Sequence, residues 1–324
     1  MVKTEEIRYQ SANGVDVIAA TAWQPTCQPI RGIVQISHSL HEYIELYSDF
    51  ANYLAERGYI VCGEDHLGHG RSARDAESLG FSSESGGAVH VVRDTRRLYR
   101  LMKQSWPNIP YFMLGQGTGG FIVRLYMTKY KESLDGCLLG ASQINVFRRP
   151  FMEHRIKTVI DKHGIHYRTE ELLDCLNMNC YCQDQRKNSQ EWLSRDPVAL
   201  EAFLEDKWCN FVPTAAVYRD MLSLLLGVSW RNWARCLPKD LPLMLFSGDK
   251  DPFSRFGKAT RTITSLLEKS GLMDLTTIIY RGGSHAFWME VNREQIFADI
   301  VNWLNQHTAA PSQETAENQP AASI

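Results

Sequence analysis

Two periods of apolar and polar residues take turns along the chain. Compact, mostly apolar runs, GIVQISH (32–38), YIVCGED (59–65), YFMLGQ (111–116), GCLLGAS (136–142), LPLMLFSG (241–248) and TTIIYRG (276–282), are separated by stretches with helical spacing near 45–57, 88–105, 118–131, 257–270 and 293–306. Strands that are apolar on both faces, alternating with amphipathic helices, predict a parallel sheet covered on both sides. Ahead of them, EEIRYQ and VDVIAATAW are joined by SANG, which predicts an antiparallel hairpin at the sheet edge.

Between residues 145 and 235 the strand rhythm is absent, and TEELLDCLNM, DPVALEAFLED and VYRDMLSLLLGV carry helical spacing instead. The expectation is a helical cap, or lid, over an α/β core built from 1–144 and 236–307. Residues 308–324, TAAPSQETAENQPAASI, are small, polar and proline-bearing, the composition of a disordered tail.

Charge and cysteine usage narrow the function classes. The 35 basic and 37 acidic side chains nearly cancel, so no basic field points to nucleic acid. Neither an apolar leader nor a membrane-length apolar run is present, and a cytoplasmic location is expected. The eight cysteines are scattered and read as reduced thiols. Cys175, Cys180 and Cys182 follow His163 and His166, but their C-x4-C-x-C spacing matches no paired zinc pattern, and no metal is expected.

Chemistry-bearing segments fall at the carboxyl ends of the predicted strands: SHSLHEY, GQGTGG, SGDKDP and GGSHAFWME. With HSLHEYIELYSDFANYLAERGYIV, EDHLGHGRS, GQGTGGFIVRLY, WLSRD, FSGDKDPFSRFGKA and GGSHAFWMEVNREQIFADIVNWL, the chain resembles the α/β-hydrolase superfamily over residues 5–307. Within it, the match is to the monoacylglycerol lipase and lysophospholipase branch, of the serine aminopeptidase S33 type. The resemblance implies a mostly parallel sheet flanked by helices, a carboxylic ester hydrolase framework without cofactor, and a small acyl ester or lipid-like ligand. The chain order of such sites is nucleophile, acid, histidine.

Carried over residue by residue, the resemblance makes Asp251 the acid and His285 the general base, and places oxyanion donors at the amides of Leu40 and Thr118. Gly115 and Gly119 set the register of a G-x-S-x-G elbow, and Gly117 stands where that pattern has its serine. Glycine offers no hydroxyl for His285 to deprotonate, so the expected enzyme is inactive or very weak. Thr118 and Ser39 are poor substitutes, whereas a water activated by His285 leaves slow hydrolysis open. The alternative is a noncatalytic pseudoenzyme that binds a lipid or small hydrophobic ligand in the former site. Ser39, Tyr43, Leu67, Gln116 and Ser284 also depart from the family pattern around the same face. His66, His69 and Arg71 read as parts of a structural turn. Phe147, Phe151, Trp192, Phe203, Trp208 and Phe211 are available to an acyl pocket, although helical aromatics more often fill a core.

Overall fold

The computed structural model describes residues 1–27, 29–130, 134–144, 149–173, 192–229 and 233–308. Strands β1 (Val2–Gln10) and β2 (Val17–Pro25) form the expected hairpin, β1 starting three residues earlier and β2 lying two residues later than the sequence runs suggested. Next come β3 (Gly32–Ser37), α1 (Ser48–Ala55), β4 (Tyr59–Glu64), α2 (Gly87–Ser105), β5 (Tyr111–Gln116), α3 (Gly119–Lys129) and β6 (Gly136–Gly140). Among the described residues three helices follow before the next strand: α4 (Arg149–His163), α5 (Pro197–Glu205) and α6 (Ala215–Gly227). The chain closes with β7 (Leu243–Gly248), α7 (Lys258–Ser270), β8 (Leu275–Tyr280) and α8 (Arg293–Gln306).

The eight strands form one sheet in the order β1-β2-β4-β3-β5-β6-β7-β8. β2 meets both β1 and β4 antiparallel, and every neighbouring pair from β4 onward is parallel. Every residue of β3, β4, β5 and β7 is buried, as their continuous apolar runs require, while the edge strand β8 is partly open. Helix α2 shows how a face is chosen: Val91, Val92, Thr95, Leu98, Tyr99 and Met102 recur at helical spacing and turn inward, while Arg93, Arg97 and Arg100 lie outside. Its buried Asp94 accepts hydrogen bonds from the Ser11 hydroxyl (2.7 Å) and the Ala12 amide (2.6 Å), tying the edge hairpin to the helix.

The expected helix near 45–57 is divided. A 3-10 turn over Ile44–Tyr47 precedes α1, because the Ile44 amide donates to Asp65 Oδ1 at 2.7 Å and pulls the chain tightly against the end of β4. In the helical insertion between β6 and β7, α4 packs on α6, and α6 also reaches α2 and α3. Asp196 starts α5 by accepting from the Val198 and Ala199 amides, with Pro197 in the first turn, where its missing N–H leaves no partner wanting. Phe147, the three clustered cysteines and the expected tail beyond Thr308 lie outside the described residues.

Parallel register brings the functional loops together. Ser37 pairs with Gly115 across β3 and β5, Gln116 with Gly140 across β5 and β6, and Gly248 with Tyr280 across β7 and β8. All of these strands release their loops at the same edge of the sheet, where open α/β sheets place their sites.

Candidate active site

Strand β5 ends at Gln116 and helix α3 begins at Gly119, so the whole turn consists of Gly117 and Thr118. Gly117 takes φ +52°, a left-handed conformation in which a side chain is strained and glycine is not. Its amide donates to the Gly140 carbonyl at 2.9 Å, and its carbonyl accepts from Gly120 at 3.2 Å, locking the turn between β6 and α3. Gly119 answers a different demand: a Cβ there would lie 2.0 Å from the Ser37 carbonyl oxygen, so only glycine lets α3 approach β3 this closely.

Asp251 follows β7 and His285 follows β8. Both side chains are fully buried, and His285 Nδ1 lies 3.0 Å from Asp251 Oδ1. The carboxylate is fixed in turn by the amides of Phe253 to Oδ1 (2.9 Å) and Ser254 to Oδ2 (3.1 Å). Burial works to lower the pKa of His285, but the charge and hydrogen bond of Asp251, with Glu42 behind them, prevail and raise it above its ordinary value of 6.5. The other ring nitrogen, Nε2, lies 3.2 Å from the point where a Cβ on Gly117 would sit. The elbow residue, the imidazole and the carboxylate are therefore in line.

The loop after β3 forms the opposite wall. The Leu40 amide donates to Thr118 Oγ1 at 2.8 Å, and the Thr118 amide donates to Ser39 Oγ at 3.2 Å. The two amides expected to face an oxyanion are thus brought to one spot, but each is engaged by a hydroxyl of the chain. The buried Glu42 accepts from the Ser39 amide (2.8 Å) and the Tyr47 hydroxyl (2.6 Å) and sets the loop's course. Burial, partly offset by these bonds, raises its pKa.

The contacts that position the histidine loop stand out only in three dimensions. The Gln116 side-chain amide donates from Nε2 to the His285 carbonyl at 2.7 Å. Glu290 accepts from the Ser284 amide at 2.7 Å and pairs with Arg195 Nε at 3.1 Å. The amides of His285 and Ala286 donate to the carbonyls of Trp192 and Leu193, each at 2.8 Å, so WLSRD holds the histidine loop from the insertion side. The signal in the sequence was the opposite charge of Arg195 and Glu290 inside two of the motifs, which sequence spacing does not pair.

The EDHLGHGRS segment is a structural turn, as its sequence suggested. Asp65 Oδ2 accepts from the Arg71 amide (2.9 Å), Ser72 Oγ donates to the Asp65 carbonyl (2.6 Å), and His69 Nδ1 lies 3.0 Å from the Leu67 carbonyl. Among the described residues no group of three or more His, Cys, Asp or Glu side chains is arranged to hold a metal ion. Tyr43 donates to Asp206 at 2.7 Å and stands edge-on to Trp208, joining the loop after β3 to the insertion. Of the candidate pocket aromatics, Trp192 lies beside the His285 ring (5.4 Å between centroids), Phe203 packs on Trp288, Phe211 packs on His41, and Phe151 is exposed.

A mostly parallel sheet with these loops at its carboxyl edge is the α/β-hydrolase fold. A carboxyl esterase from Bacillus coagulans, solved in complex with glycerol, superposes with a TM-score of 0.85 at 24% identity, over 94% of this chain and 98% of its own. Residues 28–292 match the family described as serine aminopeptidase, S33, and the chain belongs to that family. It is similar to the monoacylglycerol lipase of Mycolicibacterium smegmatis, with 23% identity over 93% of this chain and 97% of the relative. It is also similar to the human monoglyceride lipase, with 25% identity over 89% of this chain and 86% of the relative.

Proposed function

We propose that this chain is a carboxylic ester hydrolase framework of the monoacylglycerol lipase and lysophospholipase kind that lacks its elbow nucleophile, so that it hydrolyses acyl esters very weakly or not at all. The observation that carries this reading is the complete Asp251 and His285 pair aimed at Gly117, a residue with nothing to deprotonate. Asp251 takes the role of acid, His285 of base, and the amides of Leu40 and Thr118 of oxyanion donors. Residues 145–235 act as the cap over a small acyl ester or lipid-like ligand, and 308–324 as a tail. A cytoplasmic location accords with the reduced thiols of Cys27, Cys62 and Cys137. No helix among the described residues is long and apolar enough to cross a membrane. Binding of a lipid or small hydrophobic ligand without turnover is the second reading, favoured by the engagement of both donor amides.

The test is hydrolysis of short and medium acyl p-nitrophenyl esters, with fluorophosphonate labelling alongside. The unmodified protein is compared with Gly117→Ser, alone and together with Ser39→Gly. Labelling confined to forms with serine at 117 is expected. Silence in every form favours the binding protein, and ordinary enzymatic turnover by the unmodified chain overturns the assignment of Gly117 as a disabling residue.

A further inference from the structure

Ser39 lies 78 residues before Gly117 in the sequence, yet its side chain reaches the same space. A Cβ on Gly117 would stand 2.4 Å from Ser39 Oγ, a separation that forces something to shift, and 3.0 Å from Ser39 Cβ, tighter than an ordinary van der Waals contact. We propose that positions 39 and 117 form one mutually exclusive pair: the Ser39 side chain occupies the volume that a side chain at 117 needs, and with Thr118 it closes the oxyanion site. Opening the site then takes a change at 39 as well as at 117. This rests on the hydrolase-framework reading above and names the residue that keeps the framework shut.

A serine can often avoid a contact by rotating about χ1, and that escape is only partial here. Rotation would clear the 2.4 Å contact of Oγ but would leave Cβ at 3.0 Å, since Cβ moves only with the backbone. That backbone is tied on both sides, by the Ser39 amide to Glu42 Oε2 (2.8 Å) and by the Leu40 amide to Thr118 Oγ1 (2.8 Å). Rotation would also remove Ser39 Oγ from the Thr118 amide, its donor at 3.2 Å, and from Thr118 Oγ1 at 3.3 Å. Hydroxyl and amide contacts therefore hold the blocking position together.

The same contacts decide what a substrate would meet. A tetrahedral oxyanion needs free N–H groups pointing at it before it forms. Here the Thr118 hydroxyl sits on the Leu40 donor and the Ser39 hydroxyl on the Thr118 donor. A hydroxyl restored at 117 alone would face His285 but would enter an overfilled site with both donors engaged. Glycine at 39 removes both the crowding atoms and the acceptor of the Thr118 amide.

A double-mutant cycle tests the pair, with Gly117→Ser made on the Ser39, Ser39→Ala and Ser39→Gly backgrounds. Melting temperature is measured first, because it requires no turnover. On the unmodified background Gly117→Ser should lower Tm by on the order of 5 °C. The drop should be smaller with Ser39→Ala, which retains Cβ, and smallest with Ser39→Gly. The strain of a side chain at φ +52° is common to all three backgrounds and cancels from the comparison. Fluorophosphonate labelling and ester turnover of Gly117→Ser/Ser39→Gly should exceed those of Gly117→Ser by about 100-fold, the scale on which a lost oxyanion donor acts. Equal Tm drops on all backgrounds, or a single Gly117→Ser variant as active as the pair, would overturn the proposal. Coupled Tm drops without labelling in the pair would uphold the exclusive pair and count against the hydrolase framework.

Discussion

His285 shows how a single buried side chain obtains its chemistry from its neighbours. Burial opposes its charge, while Asp251 at 3.0 Å restores it, and the balance leaves the imidazole pKa above 6.5. In the base role proposed for it His285 acts only when neutral, so ester turnover by Gly117→Ser/Ser39→Gly should decline as pH falls through a value above 6.5, as a pH-rate profile of kcat/KM will show. In that protein Asp251→Asn leaves burial dominant; the acid limb should move to lower pH and turnover should drop by roughly 10⁴-fold. That Asp251, His285, Leu40, Thr118 and Gly117 lie in loops at one edge of the sheet was legible in the sequence from motifs resembling the family's that follow the predicted strands. The direction of the Ser39 side chain was not, since it depends on contacts with a residue 79 positions away.

The turn from β5 into α3 depends on glycine for reasons that differ from residue to residue. At Gly119 the obstacle is backbone, the Ser37 carbonyl oxygen 2.0 Å from where a Cβ would stand, and no side chain can move aside. Gly119→Ala should therefore destabilise the protein by on the order of 3 kcal/mol, measured by urea unfolding, by forcing α3 away from β3. Strands were read well from sequence because burial on both faces leaves an unbroken apolar run. Helix ends were read less well: the first helix is split by the bond from the Ile44 amide to Asp65, a contact between loops that no local period encodes. The clamp between WLSRD and the histidine loop was hidden for the same reason, since the atoms involved are mainly backbone carbonyls and amides.

Across the molecule, histidines His38, His66 and His69 gather beneath the site, with ring centroids 4.1 Å apart for the first two. Burial is the main cause of their low pKa values, with His38 held down to about 4 and His69 to about 3. A buried neutral histidine whose unfolded form takes up a proton near pH 6.5 contributes stability above that pH and loses it as the solution is acidified. His69→Gln should thus gain about 2 kcal/mol on the unmodified protein between pH 8 and pH 5, read from urea unfolding at the two pH values. The bonds from His285 and Ala286 to Trp192 and Leu193 bear on a different kind of motion. Deuterium uptake at those two amides should follow local opening of the insertion rather than melting of the sheet. His285 would then share its fluctuations with the root of the insertion, and crowding the insertion from outside would register as slower exchange at the histidine loop.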